Sequence, residues 1–80
     1  MERSTILEKV NEICRDVFDD ETIQINDATT ANDIDEWDSL THLQLIAEIE
    51  AEYGIKFSMG EIQGFANLGE LIDCIMKKID

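Results

Sequence analysis

Apolar residues recur at a helical period over most of the chain. Between 5 and 18 they fall at Ile6, Leu7, Val10, Ile13, Cys14, Val17 and Phe18, the stripe of an amphipathic helix. Thr5, with Glu8 three residues on, has the form of a capping box and predicts the start of that helix. A second helix is predicted over 39–53, with Asp38 as its N-cap and Gly54 as its left-handed stop. Ser58 and Glu61 form another capping box ahead of a short helix near 58–65, which Gly60 and Gly64 weaken. Asn67 and Glu70 repeat the pattern before a last helix. There Leu68, Leu71, Ile72, Ile75, Met76 and Ile79 share one side, and Lys77 and Lys78 suit the negative helix end. Proline is absent, and there is no internal repeat or low-complexity tract. The pattern predicts one all-α domain over 1–80, a four-helix bundle of three main helices and a short third one.

The segment from 19 to 38 breaks the pattern, running twenty residues without a helical or strand period. Connections of this length inside compact domains are usually functional or disordered. Ile23, Ile25, Ile34 and Trp37 give it apolar pins, so an ordered loop crossing the bundle between the first two helices is expected. A strand through Thr22–Ile25 is the rival, and it would have no partner strand.

Charge sharpens this picture. The 80 residues carry 6 Lys and Arg against 19 Asp and Glu, a formal net charge of −13. Such a chain does not hold a nucleic-acid backbone or an anionic membrane surface by charge, and its natural partners present basic patches. Residues 19–38 alone hold eight acids and no base, and no Lys or Arg occurs from Asp16 through Ile55. A solvated surface is the ordinary meaning of such a run. Here it is centred on one short motif, which favours steering of basic partners. The longest apolar runs are three residues, too short for a transmembrane helix or a signal-peptide core. Cys14 and Cys74, sixty positions apart, make no metal motif and read as buried thiols of a reduced, cytoplasmic protein.

The motif is Asp38-Ser39-Leu40, where the acidic loop enters the second helix. A serine there has its hydroxyl beside free backbone N–H groups, so a phosphate attached to it is favoured by the helix dipole. The plain alternative is that Asp38 or Ser39 merely caps the helix. Along that helix Leu45, Ile46, Ile49 and Tyr53 cluster on one face with His42 near its middle. Leu40, Leu43 and Ala47 form a second apolar stripe on the far side. A second stripe has no use inside a bundle. Edged by Glu50, it reads as a docking surface.

The stretch Trp37-Asp38-Ser39-Leu40-Thr41-His42-Leu43-Gln44-Leu45-Ile46, followed by Glu50, Glu52, Tyr53, Gly54 and Ile55, resembles the acyl carrier proteins. Helix count, loop length and the last helix agree, so the resemblance covers essentially the whole chain. It implies that Ser39 receives a 4′-phosphopantetheine group from coenzyme A, added by a phosphopantetheinyl transferase with a divalent metal. An acyl or aminoacyl cargo then rides as a thioester on the terminal thiol of that arm, in fatty-acid, polyketide or related biosynthesis. Asp38 would help present the serine to the transferase. Leu40 and Leu43, with Glu50, would belong to the helix read by acyl-activating, acyltransferase or synthase enzymes. Carriers of primary fatty-acid synthesis usually have acids where this chain has Thr41 and Gln44. Trp37 before the Asp-Ser looks more like discrete carriers of secondary metabolism or dedicated acyl transfer. The protein is then a shuttle and not an enzyme, and a monomer.

Three other readings of the same residues are less well supported. Ser39 with His42 suggests a hydrolase dyad, but no Gly-x-Ser-x-Gly turn, oxyanion hole or third partner accompanies it. Asp33-Ile34-Asp35-Glu36-Trp37 hints at a calcium loop, yet the turn glycine is missing and Trp37 takes a ligand position, so no dedicated metal site is expected. The third rival is an acidic helical interaction module without any prosthetic group.

Overall fold

The computed structural model of the chain describes residues 2–79. Four helices follow one another: α1 (Arg3–Val17), α2 (Ser39–Tyr53), the short α3 (Met59–Gly64) and α4 (Leu68–Ile79). There is no strand among the described residues, and Thr22–Ile25 is an irregular part of the loop. The predicted all-α bundle with a short third helix is the observed fold. Its extents are 31 × 25 × 21 Å.

The core forms where the apolar stripes meet. Ile6, Val10, Ile13 and Cys14 of α1 pack with Leu45, Ile46 and Ile49 of α2 and with Leu71, Ile72 and Ile75 of α4, all buried. α3 buries none of its six residues completely. It is held by its Ser58 cap and by Ile62, which packs half-buried against the core.

The helix ends follow the predicted signals with one exception. Asp38, Ser58 and Asn67 each accept a hydrogen bond from the backbone N–H three residues on, at 2.9, 3.2 and 2.9 Å. Gly54 stops α2 in the left-handed region, at φ 64°. The exception is α1, which begins at Arg3 and not at Thr5. The Glu2 carbonyl accepts the N–H groups of Thr5 and Ile6, so Thr5 already lies in the first turn. Tertiary contacts fix that extra turn. The Arg3 guanidinium donates to Asp27 at 2.6 Å, to Asp73 at 3.0 Å and to the Gly69 carbonyl at 3.0 Å. These bonds tie α1 to the loop and to α4.

The 19–38 loop is ordered and crosses the bundle as expected. Ile23, Ile25 and Ile34 are buried and Trp37 packs half-buried against the core. A single 3₁₀ turn, Ala31–Asp33, interrupts it, capped by Thr30 and Asp33; the sequence reading did not anticipate this turn. Polar anchors from α1 complete the docking. Arg15 donates to the Ile23 carbonyl at 2.7 Å, and buried Asn11 accepts from the Ile25 N–H at 3.0 Å. The loop in turn feeds α4. Leu68 N–H donates to the Thr29 carbonyl and Gly69 N–H to the Asp27 carbonyl, both at 2.9 Å. Free donors of a helix start are satisfied by loop carbonyls.

The cysteines differ from one another. Cys14 is buried, and desolvation pushes its thiol up to about 12. Cys74 is only half-buried, which corrects the expectation of two core thiols: its Sγ donates to Glu61 at 3.4 Å, drawn to the carboxylate at the edge of α3.

Candidate attachment site

The acidic loop ends by turning sharply into α2. Asp38 is extended, at φ −125° and ψ −172°, and its carboxylate accepts the Thr41 N–H. In return Thr41 Oγ1 accepts the Asp38 N–H at 2.8 Å and donates to the Glu36 carbonyl at 2.9 Å. The Thr41 N–H also holds the Asp38 carboxyl below its ordinary range. Thr41 thus locks this turn through its hydroxyl.

Because Asp38 does the capping, Ser39 does not. Ser39 is the first residue of α2, exposed, and its hydroxyl has no hydrogen-bond partner among the described residues. The other two serines are differently placed: Ser58 Oγ is occupied as the cap of α3, and Ser4 lies within α1. A free hydroxyl at the positive end of a helix is well placed to carry a phosphate.

Beside Ser39 lies a cleft of about 530 Å³ between α2, α3 and the start of α4. Trp37, His42, Ile62, Phe65, Leu68 and Leu71 form much of its wall, and Asp38 and Ser39 belong to the same lining. His42 sits at the edge of the core, as its place on the core-facing side of α2 predicts. Its Nδ1 faces the Trp37 indole N–H at 3.1 Å and its Nε2 the Ile62 carbonyl at 2.8 Å. Both ring nitrogens are therefore engaged, and neither is free to activate Ser39. This removes the hydrolase dyad.

The second stripe of α2 is on the surface. Leu40 is 65 % exposed and Leu43 51 %, with Ala47 exposed beside them. Met59, at the start of α3, is the other large exposed apolar side chain at 64 %. Glu50 does more than edge this stripe. It is half-buried, and its Oε2 accepts the Phe57 N–H at 2.8 Å, bracing the segment between α2 and α3. The sequence reading missed that contact. In the loop, Asp33 Oδ2 accepts the Thr30 N–H at 2.9 Å, and no group of three metal-ligating side chains converges among the described residues.

Comparison with known proteins bears on the same residues. A family model described as the phosphopantetheine attachment site matches residues 8–75. The solution NMR structure of the holo acyl carrier protein from Geobacter metallireducens is 48% identical, with a TM-score of 0.86, and the match covers 91% of this chain and 84% of that one. No curated protein gives a significant sequence match. The prosthetic group fits what the geometry provides: an exposed, unpartnered hydroxyl at a helix start, with an open cleft alongside. With a family match over most of its length and a solved relative of the same fold, the chain belongs to the phosphopantetheine-attachment family as an acyl carrier protein.

Proposed function

We propose that Ser39 Oγ is the atom that receives 4′-phosphopantetheine. The observation that carries this reading is the division of labour at the head of α2, where Asp38 caps the helix and leaves the adjacent hydroxyl exposed and unpartnered. A phosphopantetheinyl transferase with a divalent metal supplies the group from coenzyme A: the serine oxygen forms a new phosphodiester, the hydroxyl proton leaves, and adenosine 3′,5′-bisphosphate departs. Once attached, the group supplies a terminal thiol that holds an acyl or aminoacyl cargo as a thioester. The chain itself catalyses nothing. Asp38 fixes the turn that presents Ser39, and the cleft lined by Trp37, Ile62, Phe65 and Leu71 offers the arm and its cargo a partly apolar shelter.

As an acyl carrier protein, the chain works with synthases and transferases. In this reading they dock through basic patches on the Leu40/Leu43/Ala47 stripe, with Glu50 contributing charge through the oxygen not bonded to Phe57. Among the described residues, no helix is long and apolar enough to cross a membrane. We place the carrier in the cytoplasm, as one monomeric domain with neither nucleic-acid binding nor membrane insertion, serving fatty-acid, polyketide or related biosynthesis.

Intact-mass analysis after incubation with coenzyme A, magnesium and a broad-range transferase tests the attachment. One added arm is expected, and none in Ser39→Ala. An unmodified wild-type chain with several transferases would support an interaction module without a prosthetic group. For docking, Leu43→Asp and Glu50→Gln should slow modification with helicity intact, each costing about 1–3 kcal/mol of partner binding where the contact is central. Glutamine keeps an acceptor for Phe57, so only charge is removed. Unchanged rates in both variants would remove this surface from the account.

A further inference from the structure

His42 and Trp37 form a pair whose chemistry depends on one proton. An indole N–H is a donor only, and a backbone carbonyl is an acceptor only. With Trp37 Nε1 at 3.1 Å from Nδ1 and the Ile62 carbonyl oxygen at 2.8 Å from Nε2, both bonds exist together only if His42 is neutral and carries its proton on Nε2. The planes of the two rings are 25° apart, with centroids 5.9 Å apart. Adding a proton converts Nδ1 into a donor facing a donor. The bond to Ile62 survives that change and the bond to Trp37 does not.

The position of Trp37 gives this consequence. It immediately precedes Asp38-Ser39, lines the cleft beside the serine, and is half-buried against Phe18, with ring centroids 5.5 Å apart. We infer that Trp37 is a proton-gated wall of that cleft: neutral His42 holds the indole in place, and protonation of His42 releases it and widens the space beside Ser39. The meaning of the gate for cargo rests on the assignment of Ser39 as the attachment site.

The charged groups around the pair leave it free to act in this way. At the N-cap of α2, Asp38 stands one turn before His42, with its carboxylate on the Thr41 N–H. On the loop, Glu36 precedes Trp37 and is exposed, and Thr30 and Asn32 bring no charge to the cleft. On α3, Glu61 lies next to Ile62 but is bonded to the Ser58 N–H and to Lys78. α4 contributes Leu68 and Leu71, and Phe18, the residue after α1, packs on Trp37. No carboxylate forms an ion pair with His42 among the described residues.

The chain has one tryptophan and one histidine, so the test is unambiguous. The unmodified full chain is followed by ¹⁵N NMR from about pH 8 down to about pH 5, the range in which imidazoles change charge. The neutral ring should show its proton on Nε2. Protection of the Trp37 indole N–H, its exchange rate taken relative to the intrinsic base-catalysed rate at each pH, should fall about five- to tenfold as His42 protonates, the loss of one neutral hydrogen bond. His42→Asn keeps an acceptor near Nδ1 that does not titrate, so its indole N–H should stay protected across the range. His42→Leu should lose protection at every pH. An indole N–H indifferent to protonation of His42, or a neutral ring protonated on Nδ1, would overturn the inference. None of these readouts requires Ser39 to be modified, so failure of the attachment reading leaves them unaffected.

Discussion

Asn11 Oδ1 accepts the Ile25 backbone N–H at 3.0 Å, inside the core and fourteen residues away along the chain. Asn11 is buried on the face of α1 that packs the bundle, so this bond replaces water for a loop amide with no strand partner. Asn11→Ala strands that donor, and a buried unsatisfied group costs about 1–3 kcal/mol. Urea unfolding should show a loss of that size, and the Ile25 amide should exchange faster than in the parent chain. An Ile25 amide that exchanges as in the parent chain would show that something else holds the loop.

Two glycines should respond oppositely to alanine. A Cβ at Gly69 would stand 2.9 Å from the Asp27 carbonyl oxygen, where the loop rests on the start of α4. Gly69→Ala therefore pushes the loop away, with an expected cost of about 1–3 kcal/mol. Nothing lies within 4 Å of a Cβ at Gly60, whose φ is not in the left-handed region. Gly60→Ala should stabilise by about 0.4–1 kcal/mol by restricting the unfolded chain. Thermal melts of the two variants decide the matter, and melts displaced in the same direction would contradict it.

Glu61 makes stability depend on acid. The Ser58 N–H first, and Lys78 second, hold its carboxyl down at about 2, against an ordinary 4.5. A folded-state value below the unfolded one gives stability that is complete above about 4.5 and is lost as pH falls toward about 2. Glu61→Gln keeps an acceptor for Ser58 but cannot titrate. Its melting temperature should fall less steeply than the parent's across that window, and identical slopes would dismiss Glu61 as a contributor.

The helices are legible in the sequence because stripe period and cap chemistry agree at Asp38, Ser58 and Asn67. The start of α1 is not legible. Thr5 and Glu8 have the form of a cap, but the bonds from Arg3 to Asp27, Asp73 and Gly69 draw the helix back to residue 3, and no local pattern encodes partners so distant. The order of the loop is half legible: its isoleucines announce burial, while its polar anchors come from another element. Asn11 did leave a signal, a polar residue one turn after Leu7 and one turn before Cys14 on the apolar side of α1. At the candidate site, the Asp38-Ser39 motif marks the start of α2. The engagement of both His42 nitrogens and the bond from Phe57 to Glu50 appear only when α3 and its leading segment are brought against α2.

Of the chain's three serines, we propose that the one at the head of α2 carries the arm. Ser4, Ser39 and Ser58 lie on three different helices or their caps, so proteolytic fragments separate them. Tandem mass spectrometry of the chain modified by a transferase should place a single phosphopantetheine on the fragment holding Trp37 to Leu40, with backbone cleavages bracketing Ser39. An arm found on Ser4 or Ser58 would contradict the account.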